Sequence, residues 1–286
     1  MEMNTAEGAG IVEIELSYKG SGMSPYSAYY YRLRVDNGNV LFDARVYAGR
    51  KSSELLTVKN ATISGEAIAD VVDICGGIAA LQGLRDIPEP SPNPIPSPVF
   101  VTDGPHHPEI WKVLWDNGTS IRKAPPNDHC KVVLFQYLRM LTFQLALPPA
   151  EGNMVAMSIY GKRQHGQFSY GMEPYLGNLT FHTVYTSQDG ERMTPPRAVI
   201  AEQDMQALQD ICNAYALAEV QHTYKPALPA GYTQGDYVYH YYCYIEVHWE
   251  NGAILEAHSA FGAEAELESF FRQIALRLED QQAAEV

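Results

Sequence analysis

Trp115-Asp116-Asn117-Gly118 and Trp249-Glu250-Asn251-Gly252 are one turn written twice. Asn-Gly between β-type residues is among the strongest short hairpin signals, so each copy marks a pair of antiparallel strands. The strand entering the second turn runs from Tyr237 to Trp249 and alternates. Tyr237, Tyr239, Tyr241, Cys243, Ile245, Val247 and Trp249 share one face, while His240, Tyr242, Tyr244, Glu246 and His248 share the other. Ile110 to Trp115 enters the first turn, and Thr119 to Arg122 leaves it.

Two further pairs occur in the same order. Gly22-Met23-Ser24-Pro25-Tyr26 matches Gly171-Met172-Glu173-Pro174-Tyr175, and Asp73-Ile74-Cys75 matches Asp210-Ile211-Cys212. Three ordered matches imply a tandem duplication. The surrounding patterns agree. Each copy opens with β-type sequence: Ile11 to Tyr18, Tyr29 to Val35 and Val40 to Tyr47 in the first, Met154 to Tyr160 and Leu179 to Tyr185 in the second. A helix follows, with Ile68, Val71, Ile74, Cys75, Ile78 and Leu81 at helical spacing behind a Ser64 N-cap, and Met205, Leu208, Ile211, Cys212 and Tyr215 in the second copy. The matched cysteines fall on the buried stripe, where a small core residue is the natural reading.

Each copy closes with a second helix. Cys130 to Leu147 is apolar on most sides, whereas Ala263 to Leu278 turns Leu267, Phe270, Phe271, Ile274 and Leu278 inward and Glu264 and Glu268 outward. The expected fold class is therefore α+β: two tandem copies of a β-β-(β)-α-β-β-α unit, antiparallel sheets with helices on one face, packed as a pseudo-symmetric pair. The boundaries read as a tail (1–9), a first repeat (10–147), a linker (148–152), a second repeat (153–280) and a C-terminal tail (281–286). Within the first repeat, residues 88–98 carry proline at every second position, which requires an extended loop or a docking strip.

The formal charge of −14 over 286 residues opposes nucleic-acid and anionic-membrane binding, because phosphate contacts need clustered Lys and Arg. No apolar stretch reaches spanning length, and no signal-peptide pattern opens the chain. Four scattered cysteines suit a reducing, cytoplasmic setting better than a disulfide scaffold.

Motif chemistry is sparse. The chain has no nucleophile elbow, P-loop, dinucleotide fingerprint or His-Glu-x-x-His. Neighbours on a helix point about 100° apart, so His129 cannot easily activate Cys130. His129, Cys130, His240 and Cys243 lack the paired spacing of structural zinc. The reading is no metal and no cofactor. Candidate ligand- or partner-binding residues are Met23, Tyr26, Met172 and Tyr175 in the Gly-Met-x-Pro-Tyr segments, His106 and His240 at equal distances before the two turns, and Tyr242 and Tyr244. Nineteen tyrosines against nine phenylalanines suggest a wet, amphipathic surface, with several of Tyr29 to Tyr31 and Tyr237 to Tyr244 on outward sheet faces.

The order of a glycine-rich first strand, an amphipathic helix, a strand ending in an aromatic-Asp-Gly type turn and a closing helix resembles a widespread bacterial α+β family, found mainly in anaerobic gut Firmicutes. Each half resembles it once, through Asn37-Gly38, Trp115 to Gly118 and Trp249 to Gly252. The resemblance implies no activity, cofactor or catalytic residue. The expectation is a non-enzymatic cytoplasmic binding protein that sequesters or regulates a protein partner, or associates with itself. The alternative is a small-ligand or nucleotide binder, or an enzyme, with its site between the repeats.

Overall fold

Asn37 and Gly38 both take positive φ, 49° and 82°, as a two-residue type I′ turn requires. They join β2 (Ala28–Asp36) to β3 (Asn39–Tyr47). The computed structural model describes residues 10–19, 28–47, 55–74, 110–116, 118, 120–122, 128–163, 166–186, 192–193, 197–223, 242–258 and 262–284. The chain divides into two units, Met1–Ala146 and Leu147–Val286, each with one antiparallel sheet.

In the first unit β1 (Ile11–Lys19), β4 (Leu55–Ile63), β5 (Ile110–Trp115) and β6 (Ser120–Arg122) complete a six-stranded sheet in the order β4-β3-β2-β1-β5-β6. Its described helices are α1 (Glu66–Ile74) and α2 (Asp128–Ala146). The Ser64 Oγ accepts a hydrogen bond from the Glu66 N–H at 3.2 Å, capping α1 as its sequence requires.

The second unit runs β7 (Met154–Arg163), β8 (Gly166–Tyr175), β9 (Asn178–Thr186), β10 (Arg192–Met193), β11 (Ala198–Val199), α3 (Glu202–Ala214), α4 (Leu217–Thr223), β12 (Tyr242–Trp249), β13 (Ile254–His258) and α5 (Glu264–Ala284). Its sheet order is β10-β9-β8-β7-β12-β13, with β11 also on β9. That is the order of the first sheet, with β10 and β11 standing where β4 stands.

The likeness extends to irregularities. The β1–β5 ladder slips between Ile11 and Glu13, and the β7–β12 ladder slips beside the equivalent tryptophan, between His248 and Trp249. The Asp116 N–H donates to the Gly10 carbonyl at 2.9 Å, and the Glu250 N–H to that of Asn153 at 3.0 Å. Gly118 and Gly252, at φ 79° and 86°, each donate back to the preceding tryptophan's carbonyl at 3.0 Å.

One face of each sheet builds the core against its helices. In the first unit Ile14, Leu33, Phe42, Val113 and Trp115 are buried, as are Val71 of α1 and Leu134 and Leu138 of α2. Tyr137 of α2 donates to Asp70 of α1 at 2.8 Å. In the second unit Phe271 of α5 stacks on Tyr170 and Phe181 at 6.0 and 6.1 Å, and Leu208 and Cys212 of α3 are buried as well. Gly161 lies beneath the ring of Phe168 on the facing strand, so close that a Cβ would stand 2.1 Å from it. The glycine admits the ring, and the ring covers the exposed backbone.

Several expectations need correction. Leu55–Ile63 and Gly166–Tyr175 are full strands, and the described elements of the first unit read β-β-β-β-α-β-β-α. The Gly-Met-x-Pro-Tyr segments do not correspond. Counted back from the two-residue turns, Gly171–Tyr175 of β8 matches Arg32–Asp36 of β2, while residues 22–26 precede β2 and lie outside the described residues. Not every tyrosine faces outward to solvent: Tyr29 and Tyr31 lie on the helix side, Tyr31 buried and Tyr29 packed on Tyr31 and on Phe135 of α2, and Tyr244 is buried on the other face of its sheet, while Tyr30 is half-buried on the side away from the helices. Cys75, the proline strip 88–98 and residues 237–241 lie outside the described residues.

On the face of the first sheet away from its helices, Glu13 is buried and takes hydrogen bonds from Arg32 Nη2 and, at 2.8 Å, from Lys112 Nζ. Burial alone would raise its pKa; the two cations outweigh burial and hold it below the usual range. A depressed carboxylate pKa adds stability that is present above about pH 4.3 and lost as pH falls through the lower folded value. Glu13→Gln is therefore expected to lose about 1–3 kcal/mol at neutral pH, discounted because both cations are partly solvated. Urea titrations should show the gap from wild type narrowing as the pH falls below 4.

Candidate functional site

At the tip of the β8–β9 hairpin, Leu176 and Gly177 have φ of 51° and 80°. This is the backbone of the Asn37-Gly38 turn, with leucine where asparagine stands. A leucine Cβ is disfavoured in that region by roughly 1 kcal/mol, whereas asparagine tolerates it. The strain does not serve a core, since Leu176 is 84% exposed. Tyr175 beside it is 50% exposed, and Val199, on the strand next to β9, 65%. In the first unit the same tip is Asp36-Asn37-Gly38-Asn39, polar and exposed throughout.

The tip is held from behind. Arg197 stacks on the Tyr175 ring with its guanidinium carbon 4.5 Å from the centroid. Its Nη1 donates to Glu173 Oε1 at 2.7 Å and lies 3.4 Å from Thr180 Oγ1. His182 Nδ1 is 3.8 Å from the same Glu173 oxygen, and the His182 ring lies over Gly171, where a Cβ would come within 2.2 Å. The corresponding position of the first unit carries the Arg34–Asn60 hydrogen bond at 3.2 Å. In both units a side chain of the second strand (Arg34 or Glu173) is thus tied to the chain beyond the third strand, and in the second unit the tie also fixes an exposed aromatic ring.

A second cluster lies on β12, on the face away from the helices. Tyr244 donates to Glu246 Oε2 at 2.8 Å, and Glu246 Oε1 lies 2.6 Å from His248 Nε2. Glu246 faces Glu256 across the β12–β13 ladder, and both carboxylates are buried. A carboxylate holding an imidazole can fix its tautomer for proton transfer. Among the described residues no group of three or more His, Cys, Asp or Glu side chains is arranged to hold a metal.

Of the residues singled out by sequence, Met23, Tyr26, His106 and His240 lie outside the described residues, as does the side chain of Tyr242. Met172 is fully buried on the helix side of β8, whereas Tyr175 belongs to the opposite set of the alternation. Tyr244 is buried in the β12 chain. Among the described ones, Tyr175 alone reaches the exposed tip. Sequence reasoning missed Leu176, Val199, Arg197 and Glu173. The signal available was Leu176-Gly177, a leucine in a two-residue turn that selects asparagine.

Cys212 is a core residue: its Sγ sits 3.7 Å from Met154 Sδ, and burial pushes its pKa up to about 12. Iodoacetamide should therefore leave Cys212 unlabelled in the native protein and label it once denaturant unfolds the second unit, as peptide mass spectrometry would read. Prompt native labelling would place this thiol outside the core.

No protein-family model, curated protein or solved structure matches this chain. Among the described residues no helix is long and apolar enough to cross a membrane.

Proposed function

We propose that the chain is a tandem duplication of one α+β unit, and that its second copy binds a protein partner through the Tyr175-Leu176 tip. It is a non-enzymatic binding protein that sequesters or regulates that partner, acting in the cytoplasm. The duplication is supported by the common strand order, the ladder slip beside each tryptophan and the paired tryptophan turns. Docking is supported chiefly by one observation: a strained, solvent-exposed leucine where the sister hairpin carries asparagine. Folding gains nothing from that exchange, and an exposed aromatic–aliphatic pair held in one geometry is what a partner's pocket takes as an anchor.

The test is a matched co-purification of wild type, Leu176→Asn and Tyr175→Ser from cells of the source organism, with the recovered partner quantified. Loss of one and the same partner with both variants, at unchanged circular dichroism, is the expected result. Equal recovery with all three sinks the reading.

The second reading is a small-ligand binder or enzyme, favoured by the Tyr244–Glu246–His248 chain. Glu246→Gln and His248→Gln would reduce a ligand-induced thermal shift if that reading held, and leave the tip-dependent co-purification intact.

A further inference from the structure

We infer that the partner presents a cationic polypeptide segment around the apolar pocket that takes Leu176; this rests on the docking reading above. The β7–β8 and β7–β12 ladders set the start of β7 and the end of β12 beside the β8–β9 turn. β11 runs antiparallel to β9 and delivers the start of α3 to that end as well. Exposed Glu151 precedes β7, exposed Glu250 forms the β12–β13 turn, and exposed Glu202 opens α3. Among the described residues two arginines reach this end, and each is held by a carboxylate at 2.7 Å, Arg197 by Glu173 and Arg277 by Asp204.

The charge left over around the tip is therefore negative, on a chain whose formal total is −14. Solvated carboxylates ringing an apolar anchor attract a cationic partner and raise its encounter rate. They repel a second copy of the same acidic chain and any acidic surface. Glu202 also lies in the first turn of α3, where a carboxylate suits the helix dipole. Glu151 is thus the cleaner probe of recognition, with Glu250 beside it, an exposed carboxylate whose one side-chain bond among the described residues is a long one from Asn153 Nδ2 at 3.3 Å.

Short random peptides displayed on phage would be selected on the immobilised full chain at low salt, with the Leu176→Asn chain as counter-selection. Binding of the enriched synthetic peptides would then be measured by fluorescence anisotropy to wild type, to Leu176→Asn and to the Glu151→Lys/Glu250→Lys double variant. The expected result is peptides carrying Lys or Arg beside an aliphatic or aromatic anchor. Each should weaken about tenfold on the double variant and weaken again as salt rises.

Leu176-dependent peptides that are neutral or acidic, or that bind the charge-reversed chain equally well, overturn the cationic partner and leave the docking reading standing. Leu176-dependent dimers in sedimentation, without such peptides, do the same in favour of a second copy. If the selection yields no Leu176-dependent peptide and the chain sediments as a monomer, the docking reading itself fails.

Discussion

Phe271→Ala is expected to lower the stability of the second unit by about 3–5 kcal/mol, the usual cost of emptying a buried aromatic site. Phe271 is fully buried on α5 and stacks on Tyr170 of β8 and Phe181 of β9. These three rings tie the closing helix to the two strands that carry the Tyr175-Leu176 tip. Their parallel arrangement adds a stacking contribution that alanine cannot replace. Denaturant titration followed by near-ultraviolet circular dichroism would read the loss. Phe271→Leu should recover part of it by refilling volume, without restoring the stacking. A loss below 1 kcal/mol for alanine would mean that α5 is not docked through this ring.

Trp115→Ala and Trp249→Ala should each cost about 3–5 kcal/mol as well, and by similar amounts. Both tryptophans are almost fully buried, each lies beside the slip in its ladder, and each accepts the return hydrogen bond of its turn glycine. If the two units are copies, the same residue performs the same task twice. Hydrogen-exchange mass spectrometry would report where protection is lost. The expected outcome is loss in β1 and β5 for the first variant and in β7 and β12 for the second. A large effect from one tryptophan and none from the other would contradict equivalence of the two turns.

The fold was legible where local chemistry and tertiary demand agree. Both tryptophan turns could be read because Asn-Gly suits the backbone they adopt, and Gly118 and Gly252 hold the positive φ the position requires. The stripe Leu267, Phe271 and Ile274 is buried as its spacing demands, and α2 buries Leu134, Tyr137 and Leu138. Strands β4 and β8 were not legible, for physical reasons. In β4 the ladder slips opposite Phe42 to Ala44, and Asn60 takes a φ of 48° with its N–H bound to Asp43 at 2.8 Å. The bulge breaks the two-residue alternation.

In β8, Gly171 and Pro174 look like turn residues. Yet Gly171 makes room for the His182 ring, and Pro174 lies beyond the last pair that joins β8 to β7, where the missing N–H leaves no ladder bond unmade. The buried side of Tyr244 escaped for another reason. Alternation separates two faces but does not say that both are covered, and β12 buries both.

The site was legible only at Tyr175. Its neighbour Leu176 becomes conspicuous once the two hairpins are set side by side, because an unsuitable residue in a specified backbone needs a reason outside the fold. Arg197 and Glu173 are far apart in sequence and meet only through the β9–β11 pairing.

The central claim is that Leu176 is kept for binding and not for folding, and chemical denaturation of the Leu176→Asn protein tests it most directly. Asparagine relieves a strain of roughly 1 kcal/mol at φ 51° and removes no core contact from a side chain 84% exposed. The account therefore predicts a variant more stable than wild type by up to about 1 kcal/mol, with its melting temperature raised by about 2–4 °C. A variant less stable than wild type would show that the leucine serves the fold, and would contradict the account.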